Sequence, residues 1–418
     1  MNRDSLLFPL LAVCLAVGIG IAQYIVVPFG ATIFVLFLSL LSFAFFIVER
    51  RDAKALGLLL LFFMLLGFLR AQLADITLLP ASLIHRSASF SQSALSVLQG
   101  LGLNKEATTL LEAMLLGVRD NLPAETRTLY RQAGAAHVLA LSGMHLGILF
   151  GLFSFALQRV LLSRWRYAVG TMGIVLMWGY ALLTGFPVSL CRASLMMTLL
   201  VISQMRLVGT NGWHTLGLAA FLMLLLAPSS LFDIGFQLSF AAVTGILLFY
   251  APLRDIWYPQ NYIVKGVWQI TMVSVAAQLA VLPLSLYWFH QFTVVSFVTS
   301  PIIILLVTCM LYFAILFLLL HFIGIGLWMG RCLEWFIVLL HALMAVSVRF
   351  PWSRVEQVYI TWGEMILLYV AILCLLPPIN ALKQQPAEQP SIYRWALFFR
   401  SWPYLLATIL LLLAICII

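Results

Sequence analysis

The sequence predicts an all-α, polytopic membrane protein of about 11–13 spans with a cytoplasmic N-terminus. The first observation is composition. Of 418 residues, 64% are hydrophobic and only 9% charged, and the mean hydropathy is +1.09. Soluble domains carry roughly 45–50% apolar and about 25% charged residues. The second is the recurrence, along the whole chain, of apolar runs near the roughly 20 residues that cross about 30 Å of hydrocarbon. These runs lack the alternation of a membrane barrel strand, so they read as helices. The third is charge placement. With the N-terminus inside, 14 of the 23 Lys and Arg residues, among them Arg50, Arg51, Lys54, Arg164, Arg206, Lys265 and Lys383, fall on the cytoplasmic side. The formal net charge of +9 thus reflects topology and says little about partners.

Thirteen candidate spans follow in order: 6–27, 29–48, 54–72, 137–158, 167–184, 190–207, 213–228, 233–251, 266–286, 294–320, 331–349, 360–377 and 402–418. The run from Val294 to Met329 has room for a re-entrant segment. The first run, Leu6 to Val27, is too long for a signal-peptide core and is expected to be retained. Four regions result: a three-span region 1–72, an extramembrane segment 73–136, a core 137–377, and a linker with terminal span 378–418. In the extramembrane segment, "ATTLLEAMLLGV" places Leu110, Leu111, Met114 and Leu115 on one face, as expected of a short interfacial helix. Pro123 starts and Gly134 ends a second short helix, "PAETRTLYRQAG". "QQPAEQP" is a polar, proline-bearing linker.

Ionisable groups inside a span cost roughly 2.5–3.5 kcal/mol each on insertion scales, so each needs a partner or a task. In the assigned orientation they gather toward the outer face. His137, Ser142 and His145 open the span 137–158, with Gly143 supplying a turn. Arg192 opens the span 190–207, behind the helix-breaking Pro187. Asp233 and Gln237, four apart, begin the span 233–251. Gln278 lies within 266–286, and "YWFHQF", with Trp288 and Gln291, lies at its exit. This pattern suggests a polar vestibule that opens outward. Plainer readings stand beside it: Arg192 and Asp233 as a structural ion pair, Gln237 and Gln278 as bridges between helices, Trp288 as an interfacial aromatic.

Enzymatic chemistry finds little support. Ser142 and His145 have the spacing of a nucleophile and base, yet the sequence offers no GxSxG, HExxH or Walker-A pattern, and Asp233 is the only candidate third member. The six cysteines, Cys14, Cys191, Cys309, Cys332, Cys374 and Cys416, lack CxxC spacing or nearby His, so no metal site, disulfide framework or cofactor is expected.

Three blocks, "LLEAMLLGVRDNLPAETRTLYRQAGAAHVLALSGMHLGIL", "FDIGFQLSFAAVTGILL" and "AAQLAVLPLSLYWFHQFTVVSFVTSPI", with the shorter "CRASLMM" between the first two, closely resemble the competence domain of ComEC-type proteins. The blocks keep the family's order across roughly residues 105–305. His137, Ser142, Gly143, His145, Arg192, Asp233, Gln237, Gln278 and Gln291 fall on motif positions, none of which the resemblance makes catalytic. It implies a bacterial inner-membrane channel through which single-stranded DNA enters during natural transformation. Arg192 would then contact phosphate and Trp288 would stack on bases. A separate cytoplasmic motor, a periplasmic DNA receptor, surrounding lipid and, in this short form, a separate nuclease would be the partners. The expected short form lacks the DNA-binding insert after the third span and the metallo-β-lactamase-like nuclease domain of longer members; it would be a channel-only variant with a nuclease supplied separately, a truncated remnant, or a relative moving another substrate. The alternatives are a small-molecule permease and, less favoured, an intramembrane hydrolase.

Overall fold

The computed structural model describes residues 7–25, 52–73, 81–139, 141–160, 166–205, 211–321, 326–350 and 355–377, with scattered positions from 32 to 39 and residue 403. Expected spans 29–48 and 402–418 and the linker 384–390 lie largely outside the described residues. The elements in chain order are α1 (Leu7–Ala22), α2 (Asp52–Ala71), α3 (Ala81–Gln99), α4 (Lys105–Leu111), a π turn (Glu112–Leu116), α5 (Ala124–Gln132), α6 (Ala136–Leu139), α7 (Gly143–Val160), α8 (Arg166–Leu183), α9 (Val188–Met205), α10 (Gly212–Leu226), a 3₁₀ turn (Pro228–Phe232), α11 (Ile234–Arg254), α12 (Tyr262–Phe289), β1 (Gln291–Phe292), α13 (Ser296–His321), α14 (Gly326–Val348), β2 (Val355–Glu356) and α15 (Trp362–Cys374). The described chain is almost wholly helical. Among the described residues, five segments are long and apolar enough to cross a bilayer: α9, α11, α12, Ser296–Leu318 of α13 and Met329–Val348 of α14. Shorter apolar helices cover Leu7–Ala22, Leu56–Ala71, Tyr167–Leu183, Gly212–Leu226 and Trp362–Cys374.

Several expectations shift in detail. The run 137–158 is not one helix: α6 stops at Leu139 and α7 starts at Gly143. From Ser296 to His321 the chain is a single helix with Pro301 near its start, so no re-entrant turn interrupts it there. The segment around Leu110 is no one-faced surface helix. Leu110, Leu111, Met114 and Leu115 are buried, but so are Ala107, Ala113 and Leu116 around the rest of the element. The π turn spreads apolar positions beyond one stripe, and packing against protein, including α14, covers them all. An additional helix, α3, occupies residues for which no element is predicted from the sequence.

The chain forms two compact units, residues 1–92 with 149–240, and residues 93–148 with 241–418. In the first, α1 packs on α2 through glycines. A Cβ on Gly18 would lie 1.8 Å from the Met64 carbonyl oxygen, and one on Gly67 would lie 2.2 Å from that of Leu15. Only hydrogen at both positions allows this backbone approach, the usual device where two apolar helices gain little from hydrophobicity and must gain from contact. Leu15 and Ile19 then meet Leu224 of α10 and Phe236 of α11. Buried Arg70, at the end of α2, donates Nε to the Leu225 carbonyl at 2.7 Å and Nη2 to that of Leu226 at 2.6 Å. It thereby satisfies the last carbonyls of α10, which a helix cannot satisfy itself and which carry its partial negative charge.

The second unit has one such approach, where a Cβ on Gly245 of α11 would lie 2.5 Å from the Ala276 carbonyl oxygen of α12, and adds a seam of larger side chains. Along α13, Ile303, Val307, Met310, Ala314 and Phe317 are all at most 1% exposed. Their spacing of four, three, four and three matches Leu333, Ile337, Leu340 and Met344 along α14. This is the stripe by which two helices interlock over several turns. Helix starts are capped: Asn104 accepts from Ala107 N at 2.7 Å, Asn261 from Ile263 N at 2.8 Å, and Thr361 with Glu364 forms a capping box at α15. Two side-chain contacts tie α14 to the start of α4: Glu334 Oε1 accepts from Asn104 N at 2.8 Å, and His341 Nδ1 lies 2.8 Å from Glu106 Oε1.

Replacing Gly67 by leucine is expected to separate α1 from α2, because backbone opposes the new side chain. The loss should reach or exceed the roughly 1–3 kcal/mol of an overpacked core, seen as a lowered unfolding midpoint in detergent. Gly57, which has nothing within 4 Å of its would-be Cβ, should tolerate the same change.

Candidate functional site

The polar residues of the apolar helices fall in two groups. In the first unit, α9 starts after a tight turn in which Gly185 and Phe186 both take positive φ, 81° and 54°. Pro187 follows, and its carbonyl accepts from Leu190 N and Cys191 N. Pro187 therefore launches α9 and does not break it, since proline's fixed φ suits a helix start. One turn on, Arg192 Nη1 lies 2.7 Å from Asp233 Oδ1, the two side chains 7% and 51% exposed. Asp233 sits just before α11, not within it, and the same Oδ1 accepts from Phe236 N at 2.7 Å. One carboxylate thus caps a helix and pairs with a cation. Gly235 makes the approach possible: a Cβ there would lie 2.8 Å from Arg192 Nη2 and 3.1 Å from Asp233 Oδ1. Gln237 donates to the Leu231 carbonyl at 3.0 Å.

The pairing leaves Arg192 incompletely satisfied. Its Nε is buried without a hydrogen-bond partner, as is Ser194 Oγ on the same helix. A guanidinium carries five N–H donors, and a single half-exposed carboxylate covers few of them. The arrangement can accept a further anionic or hydrogen-bond-accepting group.

The second unit holds His137, Ser142, His145, Gln278, Trp288 and Gln291. Ser142 precedes α7 and is not on it; its carbonyl accepts from Leu146 N at 3.3 Å. The expected Ser142–His145 contact exists, Oγ to Nδ1 at 3.0 Å, with Gly143 as the first residue of α7. His145 is 1% exposed and its Nε2 has no partner, whereas His137 on α6 is exposed. Gln278 is fully engaged: its amide donates to Ser274 Oγ at 3.0 Å and the Ser296 carbonyl at 3.2 Å, and its carbonyl accepts from Ser296 Oγ at 3.0 Å. This joins α12 to the start of α13. Trp288 is partly exposed and packs edge-on against Tyr287, ring centroids 5.2 Å apart. Gln291 lies in β1, which pairs antiparallel with β2, Gln291 opposite Glu356.

Sequence reasoning passed over the residues that hold these groups. Ser296 and Thr293 flank Gly134, whose φ is +73° and whose would-be Cβ would lie 2.9 Å and 3.1 Å from their Cβ atoms; the "AGAAH" turn is thus set against the start of α13. Tyr130 packs edge-on against His341 at 5.6 Å, and its fully buried hydroxyl has no partner. Burial, with the charge of Glu106 adding to it, holds that phenol well above the usual tyrosine range. The glycine of "DIGFQ" was the available signal for a close approach at Arg192, since an interior helix glycine otherwise costs stability.

The ion pair should respond asymmetrically to substitution. Arg192→Met removes the buried charge and keeps volume, so the unfolding midpoint should change little. Asp233→Ala strands the guanidinium and uncaps α11, at an expected cost of about 2 kcal/mol or more even after discounting for Asp233's exposure. Thermal unfolding in detergent measures both.

The family model described as "Competence protein" matches residues 114–381. ComE operon protein 3 of Bacillus subtilis (strain 168) is 26% identical over 312 residues, 74% of this chain and 39% of that protein. The uncharacterized protein YcaI of Escherichia coli (strain K12) is 26% identical over 245 residues, 55% of this chain and 31% of its own. The uncharacterized MG316 homolog of Mycoplasma pneumoniae is 31% identical over 150 residues, 35% of this chain and 38% of its own. The chain thus spans well under half the length of each of these relatives. No solved structure matches it. The matched residues run from the π turn past α15 and take in every site residue expected from the sequence, from His137 to Gln291, and over that majority of its length this chain belongs to the competence protein family.

Proposed function

We propose that this protein is a non-enzymatic inner-membrane conduit for single-stranded DNA during natural transformation. The observation that carries the reading is Arg192: a buried cation inside an apolar helix, held by one half-exposed carboxylate, with a donor to spare. A polyanion supplies what that guanidinium lacks, and Arg is the side chain suited to phosphate. Ser142, His145 and exposed His137 offer hydrogen-bonding groups, and Trp288 a stacking face. Membership of the competence family supports the same direction. Force comes from a separate cytoplasmic motor, DNA is delivered by a periplasmic receptor, and processing of the second strand falls to a separate nuclease.

The Ser142–His145 contact favours a hydrolase as the second reading. It lacks the usual support, because serine faces Nδ1 while Nε2 has no partner, so no carboxylate orients the ring. Labelling by a serine-directed fluorophosphonate that disappears in Ser142→Ala would establish that chemistry.

In a transformable host lacking its own channel, the wild-type chain should restore DNA uptake. Arg192→Met should lower transformation frequency at least about a hundredfold at equal membrane abundance, as expected when a charge-assisted contact worth about 2–3 kcal/mol is lost at more than one passing phosphate. Normal uptake by Arg192→Met refutes the conduit reading. In liposomes, flux of small solutes without flux of a short oligonucleotide identifies a permease instead.

A further inference from the structure

Apart from these groups, residues 93–148 of the second unit form an open cavity of about 390 Å³ lined by Gln99, Lys105, Thr108, Thr109, Glu112 and Asn121. Three segments build it: the end of α3, the face of α4 and the π turn, and the bend after the π turn. Lys105, Thr108 or Thr109, and Glu112 follow one another at the three- and four-residue steps that align side chains on one helix face.

Glu112 is 1% exposed. Its Oε1 accepts from Gln99 Nε2 and its Oε2 from Asn121 Nδ2, both at 2.9 Å. These are neutral donors, and among the described residues Glu112 makes no ion pair. A carboxylate has about four acceptor positions, so capacity remains. The threonines add to it: Thr108 donates its hydroxyl to the Asn104 carbonyl at 3.0 Å and Thr109 to that of Glu106 at 3.1 Å. Their oxygens are left with lone pairs only. Each amide has spent one N–H on Glu112 and keeps one further N–H beside a carbonyl oxygen with two acceptor positions. The floor of the cavity is therefore rich in acceptors and carries a buried negative charge, while Lys105 supplies a positive charge on the same wall.

We propose that this cavity binds a phosphoethanolamine-type zwitterion, with its primary ammonium donating to Glu112 and its phosphate held by Lys105. Three N–H donors on the ammonium match the acceptor floor, and the pairing gives Glu112 the cation that a buried carboxylate requires. A divalent cation fits worse, because it needs more than one carboxylate and is repelled by Lys105. A simple anion is repelled by Glu112. The same headgroup chemistry occurs on a membrane lipid or on a free amino-alcohol phosphate. The inference does not depend on the DNA-uptake reading.

The test uses the full chain in detergent, titrated calorimetrically with O-phosphoethanolamine, phosphocholine and glycerol phosphate. Phosphoethanolamine should bind at least about tenfold tighter than phosphocholine, which lacks N–H donors, and than glycerol phosphate, which lacks the cation. Glu112→Gln, which preserves the shape of the carboxylate, and Lys105→Met should each weaken binding about tenfold. Should Glu112→Gln fail to accumulate, Lys105→Met at the helix start still decides. A parallel arm compares unfolding midpoints in nanodiscs of phosphatidylethanolamine and phosphatidylcholine. A rise only in phosphatidylethanolamine, lost in both variants, assigns the lipid headgroup; binding only of the free compound assigns the soluble zwitterion. Equal binding of phosphocholine, binding unchanged in the folded variants, or no response to either source overturns the proposal.

Discussion

Hydrocarbon offers no hydrogen bonds, so every polar group carried into an apolar helix must find its partner in the protein or face water. The architecture follows from how that demand is met. Arg70 meets it by turning a buried cation onto the last carbonyls of α10, solving two problems at once: the helix end loses its unsatisfied acceptors, and the guanidinium gains acceptors for its donors. Gln278 meets it by exhausting its amide on Ser274 and Ser296. Arg192 meets it only in part. Ser194, His145 and Tyr130 also keep a buried polar atom without a partner, but among these described groups Arg192 is the exception in carrying a permanent charge, and the functional reading forms around it.

Packing supports that exception in two different ways. In the first unit, glycine lets backbones touch at Gly18 and Gly67 between α1 and α2, and Gly235 leaves room for the Arg192 guanidinium. In the second, a regular stripe of bulky side chains locks α13 to α14. Glycine contacts allow little adjustment, because backbone cannot rotate out of the way as a side chain can. At the Arg192–Asp233 pair the constraint is different: a carboxylate that also caps α11 cannot swing away without loosening a helix end.

Much of this was legible from the residues. Hydropathy placed most helices within a few positions, because a twenty-residue apolar run has few other structural solutions. The pairing of Arg192 with Asp233 and the Ser142–His145 contact followed from spacing and chemistry. What the sequence concealed depended on local backbone geometry. A run of apolar residues does not announce that it breaks at Leu141 and Ser142, nor that Asp233 stands before a helix and not inside it. Amphipathicity misled around Leu110, because periodicity identifies one buried face and is silent on whether the opposite face meets water or protein. Glu112, Ser296 and Gly134 gave no motif. Their significance lies in which distant segments they meet, which is a tertiary fact.

The π turn at Glu112–Leu116 bears on how this segment tolerates change in length. Such a turn is what an α-helix becomes on accepting one surplus residue, so losing a single residue here would let α4 rewind into regular hydrogen bonding without severing the chain on either side. The rewinding would turn everything on one side of the deletion by about 100° relative to the other. The buried acid would then part from either Lys105 or the bend at Asn121, while the helix itself kept its form. Chains with and without the surplus residue would share this architecture and differ in what the hollow beside it can hold.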